Sequence, residues 1–238
     1  MEVSNELKQM YGNYYLDEKV LQKRKISARQ SVEHIVQLVS GRIYPSIIDI
    51  GAGDGSVLEE LSLVDIGNEF HAVEISESGC SGMRAKKISK LVSITQFDGY
   101  KLPFNAKKYS LGLAIHVLEH VEHERAFLRE IANSCDYLYV EVPLELTIEI
   151  SRNIKIGAKY GHINYYNPAI FQNMLSTSGL EVVKFQVFSA TLEYERFLSG
   201  ALKGTLKFYL RSLALKLFPA IAPRFITYMG GALCRSRG

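Results

Sequence analysis

Short apolar runs alternate with amphipathic stretches along most of the chain. Five such runs are SIIDI, FHAVEI, LVSITQF, YSLGLAIHV and YLYVEVP, at residues 46–50, 70–75, 91–97, 109–117 and 137–143. Continuous Val-, Ile- and Leu-rich runs are typical of buried parallel strands, and the segments between them place apolar residues at helical spacing. The pattern therefore predicts an α/β fold with a doubly wound, mostly parallel sheet.

The flanking segments complete a single predicted domain. Asn167 and Pro168 are typical of a helix start, so we predict a helix over 167–178, followed by a strand over 180–190 and a final strand over 225–237. The predicted organisation is a helical segment at 1–42, an alternating strand-and-helix core at 43–190, a basic amphipathic segment at 191–224 and the last strand at 225–238.

Composition excludes several classes of protein. The 238 residues carry a formal net charge of only +3, which argues against sequence-independent wrapping of nucleic acid. Cys80, Cys135 and Cys234 are far apart and odd in number, so they predict neither a disulfide framework nor a zinc knuckle. We find no secretory signal and no apolar run of membrane-spanning length. We expect a cytoplasmic protein, with contact at the membrane surface as an alternative.

A glycine-rich turn follows the first predicted strand. It reads Asp49-Ile50-Gly51-Ala52-Gly53-Asp54-Gly55, and glycines there allow positive φ and close approach of a ligand. The flanking carboxylates favour a cationic ligand over a pyrophosphate. Glu74 ends the second strand about 20 residues later, where an acid commonly binds ribose hydroxyls. Asp98 follows the third strand, so three acids meet at one sheet edge.

These motifs resemble the class I S-adenosylmethionine-dependent methyltransferases over residues 43–190. The resemblance implies a Rossmann-like, seven-stranded, mostly parallel sheet with an antiparallel last strand, helices on both faces, a helical N-terminal flap and a helical insertion before the last strand. It implies S-adenosylmethionine as cofactor, with the methionine moiety along the glycine turn, the ribose at Glu74 and the adenine at Asp98. The full predicted cofactor-binding set is Tyr14, Asp49, Gly51, Ala52, Gly53, Asp54, Glu74, Ile75, Asp98, Gly99 and His116.

Methyl transfer from a sulfonium is a direct displacement, so the protein has to align the reactants and accept a proton from an alcohol acceptor. Histidine titrates near neutral pH, which makes His116, His120 and His162 the candidate catalytic residues. With Glu119, they are also similar to the acid-x-x-Glu-His motif of metal-dependent methyltransferases acting on catechol-like compounds and RNA ends. His116 replaces the first acid of that motif, and our main interpretation includes no metal.

The expected acceptor is a small-molecule or lipid- or sugar-like compound, methylated on oxygen. The base-gripping Asn/Asp-Pro-Pro-Tyr/Phe motif does not follow the fourth strand, where His116-Val117-Leu118-Glu119 stands instead, so we predict no DNA substrate. Two alternatives stay open. One is a metal-assisted O-methyltransferase on a catechol-like or RNA-end hydroxyl, and the other is a non-catalytic, membrane-associated module that binds S-adenosylmethionine.

The C-terminal quarter differs in charge from the rest of the chain. Eight basic residues and no acid lie between Arg196 and the end of the sequence. Around residues 200–218, lysines recur beside leucines at helical spacing, which predicts a basic amphipathic helix. Such a helix suits a lid over the substrate pocket, peripheral contact with a membrane, or an oligomer interface.

Overall fold

A seven-stranded sheet forms the centre of the molecule. The computed structural model describes residues 18–39, 41–103 and 109–237. The strands are β1 (Tyr44–Ile50), β2 (Gly67–Glu74), β3 (Leu91–Gln96), β4 (Tyr109–Ile115), β5 (Cys135–Leu144), β6 (Leu180–Phe188) and β7 (Tyr228–Ser236). The helices are α1 (Glu18–Val39), α2 (Ser56–Leu61), α3 (Glu77–Lys86), α4 (Glu124–Ser134), α5 (Ile150–Gly157), α6 (Pro168–Thr177), α7 (Leu192–Ser199) and α8 (Ala201–Leu217).

The strand order is β3-β2-β1-β4-β5-β7-β6, and β7 runs antiparallel to both of its neighbours. This confirms the predicted Rossmann-like sheet with an antiparallel last strand. The order reverses between β1 and β4, and ligands of open α/β sheets bind outside the carboxyl ends of the strands at such a switch point. The glycine-rich turn after β1 and His116 after β4 flank this point.

Apolar residues cover both faces of the sheet. On one face, Phe127, Leu128 and Ile131 of α4 are fully buried, and on the other, Ile35 and Leu38 of α1 pack against the sheet. Burying each such side chain is worth about 1.5–3 kcal/mol. The three cysteines are free and buried, as packing residues are. The run of strands and helices is therefore the one that the hydrophobic pattern predicts.

Two element boundaries have a clear local cause. β4 ends at Ile115, before the predicted 117, because His116 takes the left-handed conformation with φ 55° and leaves the extended strand. The Asn167 side chain accepts a hydrogen bond from Ile170 N at 2.9 Å and caps α6, with Pro168 in its first turn as predicted. Gly179, with φ 87°, follows the end of that helix.

The segment between β6 and β7 forms α7 and α8. β6 ends and β7 begins beside the carboxyl end of β5, since Phe188 pairs with Met229 and Leu144 pairs with Tyr228. The two helices therefore leave and rejoin the sheet at the edge that carries the glycine-rich turn. This gives the insertion a place in the fold that the sequence pattern alone does not provide.

Candidate active site

The glycine-rich turn has a backbone conformation that favours glycine. Gly51, Gly53 and Gly55 all have positive φ, at 78°, 59° and 75°. The amides of Gly51 and Ala52 both donate to the carbonyl of Val73, at 2.9 and 3.1 Å, and so tie the turn to the end of β2. A Cβ on Gly51 would lie 2.7 Å from a methyl group of Val117. The turn thus packs directly against the loop after β4, with no space for a side chain.

Glu74 is buried at the end of β2 and faces this turn. Its carboxylate accepts hydrogen bonds from Gly53 N at 2.8 Å, from Ser76 N at 3.0 Å and from the Ser76 hydroxyl at 2.8 Å. Gly79 is needed beside it, because a Cβ there would come within 2.9 Å of the Glu74 side chain. A carboxylate has roughly four acceptor positions, so one remains for a ribose hydroxyl.

The two aspartates of the turn have different environments. Asp54 contacts Arg24 and Lys86, both at 2.8 Å, and the Ser56 hydroxyl. Burial opposes ionisation of Asp54, but Arg24 and Lys86 outweigh it and lower the pKa of the carboxyl to about 2. Its oxygens hold α1 and α3 to the turn.

Asp49 is buried at the end of β1. Burial, together with the negative charge of Glu74, raises the pKa of its carboxyl to about 7, and Arg24 opposes this rise only in part. The group is therefore poised to change its charge near neutral pH.

The remaining predicted cofactor residues lie along the same edge. Asp98 is exposed and accepts hydrogen bonds from Tyr100 N at 2.8 Å and Lys101 N at 2.7 Å, and Gly99 takes a φ of 96°. Ile75 is half-buried, and its carbonyl accepts from the Gln96 amide. Tyr14 lies outside the described residues.

His116 connects two carboxylates behind the turn. Its Nδ1 lies 3.3 Å from Glu119 Oε1 and its Nε2 lies 3.6 Å from Glu141 Oε1. Burial disfavours the imidazolium, but Glu119, Glu141 and Glu145 outweigh it and raise the pKa of His116. His116 is therefore stabilised as a cation, which suits an orienting role better than that of a proton acceptor.

His120 and His162 form a T-shaped pair with ring centroids 5.0 Å apart. Nδ1 of His120 lies 3.0 Å from the carbonyl of Gly161, and Nδ1 of His162 lies 2.8 Å from the Glu145 carboxylate. The carbonyl of Gly161 can only accept a hydrogen bond, so Nδ1 of His120 is the donor in that contact. The contact with Glu145 fixes the orientation of the His162 ring. Burial lowers the pKa of His120, which keeps that ring neutral.

Glu119, His120 and His162 each offer a ligand atom, and these atoms lie within 4.8 Å of one another. Oε2 of Glu119 is buried and has no hydrogen-bond partner. Burial opposes ionisation of this carboxyl, but the neighbouring histidines outweigh that effect and lower its pKa. An ionised buried oxygen of this kind needs a donor or a cation. The structure thus brings the three candidate histidines and Glu119 together.

A buried network around Glu141 was not predicted. Glu141 is 0% exposed on β5 and accepts hydrogen bonds from Ser31 at 2.7 Å, His34 at 2.8 Å and Tyr139 at 2.5 Å. Burial opposes its ionisation, but His34, His116 and Tyr139 lower its pKa to about 2. The signal in the sequence was an acid inside the apolar run YLYVEVP, since a buried acid requires partners.

The fold is Rossmann-like, and the glycine-rich turn and Glu74 lie at the switch point of the sheet, where folds of this kind bind their ligands. The profile of the family described as "Methyltransferase domain" matches residues 18–184, more than half of the chain, and the protein belongs to this family. S-adenosylmethionine is the cofactor of the family, as predicted. A search of curated proteins gave no match.

Solved structures share the fold at low sequence identity. Magnesium protoporphyrin IX methyltransferase from Synechocystis PCC 6803, solved with bound SAH, is 16% identical with a TM-score of 0.58, covering 92% of this chain and 86% of that one. Geranyl diphosphate C-methyltransferase from Streptomyces coelicolor A3(2) is 12% identical with a TM-score of 0.63, covering 87% and 75%. The (4+2)-cyclase SpnF is 13% identical with a TM-score of 0.61, covering 87% and 81%. Fold alone therefore does not fix the reaction.

Replacing Asp49 by Asn should flatten the pH dependence of stability. A carboxyl whose pKa is raised to about 7 on folding makes the wild-type free energy of unfolding fall as pH rises from about 4 to about 7. Each pKa unit corresponds to about 1.4 kcal/mol. Urea unfolding at several pH values between 5 and 8 measures this slope. Equal slopes for D49N and wild type would contradict the environment assigned to Asp49.

Replacing Glu141 by Ala should destabilise the protein by about 3 kcal/mol, because His34, His116 and Ser31 lose a shared buried partner. The control is Glu181→Ala, whose exposed ion pair with Arg235 is worth less than about 1 kcal/mol. The pKa of Glu141 is lowered to about 2, so its stabilisation is complete above the unfolded pKa of about 4.3 and is lost as pH falls towards 2. Urea unfolding measures the difference in free energy of unfolding between wild type and E141A, and this difference should be smaller at pH 3 than at pH 7.

Proposed function

We propose that the protein is an S-adenosylmethionine-dependent O-methyltransferase acting on a small-molecule or lipid- or sugar-like hydroxyl. The observation that carries this proposal is the orientation of His120 and His162. Nδ1 of His120 lies 3.0 Å from the carbonyl of Gly161 and Nδ1 of His162 lies 2.8 Å from the Glu145 carboxylate, so both rings are held in fixed orientations beside Glu119. A group of this kind accepts the proton of an alcohol, and a C–H acceptor or a free amine has less need of it.

The geometry of the glycine-rich turn and of the acids beside it fits the proposed cofactor. Gly51 lets the backbone of the turn pack closely on Val117, and the Glu74 carboxylate keeps an acceptor position beside Gly53. Asp49 supplies a carboxyl close to the turn that ionises near neutral pH. The cofactor, when bound, supplies a methyl group on a positively charged sulfur.

The remaining residues of the site orient the histidines and accept the proton of the hydroxyl. Glu145 holds His162 by its Nδ1, so that Nε2 points in one direction. This is the base-and-orienter arrangement of acid–base enzymes, in which a carboxylate fixes the tautomer of the imidazole. Against the effect of burial, Glu119 and Glu141 raise the pKa of His116, and its Nδ1 lies 3.3 Å from Glu119 and keeps that side chain in place. The proton of the acceptor hydroxyl is expected to pass to His162 or His120 as the new C–O bond forms.

Glu74→Gln should weaken binding of S-adenosylmethionine roughly 100-fold, because a charge-assisted hydrogen bond is worth about 1.5–3 kcal/mol. Calorimetric titration with S-adenosylmethionine and S-adenosylhomocysteine measures this, with NAD expected not to bind. Glu69→Ala is the matched control, since Glu69 is an exposed acid on the same strand. Unchanged affinity in a folded E74Q variant would refute the assigned site.

Labelled-methyl transfer to acceptors from a cell extract then distinguishes an enzyme from a non-catalytic binding module.

A metal-assisted O-methyltransferase is the second candidate. It is favoured by the buried Oε2 of Glu119, which has no hydrogen-bond partner, and by the ligand atoms that Glu119, His120 and His162 offer within 4.8 Å of one another. Two imidazoles and one carboxylate suit Mn²⁺, Fe²⁺ or Zn²⁺. The hydrogen bonds from the two Nδ1 atoms are those with which metal-binding histidines are normally oriented. A metal there would bind the acceptor hydroxyl and lower its pKa.

Calorimetric titration with Mn²⁺ and Zn²⁺ distinguishes the two candidates without knowledge of the acceptor. If the site holds a metal, the wild type binds one ion and Glu119→Gln loses at least about tenfold in affinity. The control is Glu122→Gln, a nearby exposed acid outside the cluster. Absence of binding in wild type, together with activity that resists chelation, would leave proton acceptance by histidine as the mechanism.

A further inference from the structure

Helix α8 turns its apolar side to solvent. Six large apolar residues lie within an arc of roughly 100° at 3.6 residues per turn. Their exposed fractions run from 90% for Leu202 to 53% for Leu213. The six are Leu202, Leu206, Tyr209, Leu210, Leu213 and Leu217. We call this arc the α8 apolar face.

The opposite side of the helix anchors it to the protein. Gly204 packs so closely on the backbone at Glu195 that a Cβ would collide with it. Glu195 is buried and pairs with Lys207 at 3.2 Å and Arg211 at 3.0 Å. Arg211 also donates to the carbonyl of Thr227, and the Tyr228 hydroxyl donates to the carbonyl of Arg211 at 2.9 Å. A helix fixed by its polar side cannot rotate to bury its leucines without breaking these pairs.

The α8 apolar face continues onto neighbouring segments. Phe218, Ile221 and Phe225 follow α8, and each is more than half exposed. Ile148 donates its N–H to the carbonyl of Arg224 at 2.8 Å, which places the segment before α5 against this turn. α5 itself exposes Ile154 and Ile156. So many large apolar side chains exposed on one helix face and on the turn that follows it indicate an interaction site.

Basic side chains border the face, with no acid in the segment that forms it. Lys203 and Lys216 are exposed on either side of the apolar arc, and Arg224 is exposed in the turn beyond it. No Asp or Glu occurs between Arg196 and the end of the sequence. In a two-fold dimer through this face, these cations would meet their own copies without a carboxylate from the segment to compensate them. The charge pattern therefore fits an anionic surface better than a second copy.

We propose that the α8 apolar face binds the surface of an anionic lipid bilayer, with α8 lying in the plane of the interface. Leucines on one side and lysines at the borders are the features of interfacial helices. In the described part of the chain, no helix has the length and hydropathy to cross a bilayer. The binding surface adjoins the edge of the sheet that carries the site, through α5 and the start of β7.

A single tryptophan tests this directly. The chain contains no tryptophan, so Leu213→Trp in the full-length protein introduces one fluorophore on the face, and Val92→Trp introduces one at an exposed apolar position on β3 as control. With vesicles of phosphatidylcholine and phosphatidylglycerol, the L213W emission should shift to the blue and be quenched by brominated lipid. The V92W emission should not change. Binding should weaken with salt and on vesicles of phosphatidylcholine alone.

Variants separate the apolar and the electrostatic contributions in vesicle co-sedimentation. Leu206→Ser with Leu213→Ser should reduce partitioning by about tenfold for each leucine, whereas Leu63→Ser, at an exposed site elsewhere, should not. Lys203→Gln with Lys216→Gln should reduce it by about fivefold for each lysine, with Lys25→Gln and Lys101→Gln as the control pair.

Two outcomes would overturn the proposal. One is absence of co-sedimentation with anionic vesicles. The other is a concentration-dependent blue shift of L213W without lipid, accompanied by a dimer in sedimentation velocity, which would assign the face to a second copy. The assay contains no S-adenosylmethionine, so its result is independent of whether the proposed methyltransferase function holds.

Discussion

The buried carboxylate of Glu141 is the constraint on which the site depends. A charge with no exposure to water must be compensated by several donors, and here the hydrogen bonds come from α1 and from β5 itself. Ser31 and His34 fix α1 across one face of the sheet, and His116 is drawn towards β5. Because His116 also contacts Glu119, an ion-pair chain links the buried acid of β5 to the histidine cluster.

The second constraint is the close contact between the glycine-rich turn and Val117. Hydrogen bonds from Gly51 and Ala52 hold the turn to β2, while Val117 follows His116 directly on the loop after β4. The glycine-rich turn and the loop that carries His116 therefore share one piece of packing. In the proposed reaction, such a fixed relation would align the reactants, and alignment supplies much of the catalysis.

The fold was predictable because its strands are buried on both faces and read as continuous apolar runs. The turn, Glu74 and Asp98 were predictable because they follow strand ends whose relative positions a parallel sheet defines. The hydrogen-bond network around Glu141 was not predictable, because His34 lies 107 residues from Glu141 in the sequence and no spacing rule links the two. Likewise, the orientations of the His120 and His162 rings depend on Gly161 and Glu145, which become neighbours only after folding.

Helix α8 illustrates a limit of reading amphipathicity from sequence. The pattern identifies an apolar and a basic side, and the usual inference is that the apolar side packs on the core. Here Glu195 is buried under α8 and needs cations, so Lys207 and Arg211 turn inward and the leucines turn outward. Burial of the exposed leucines would still be favourable, but they cannot pack on the core while the polar side of α8 faces the protein. The free energy that other helices gain on folding is thus left available for binding, which is why this face has the composition of an interface.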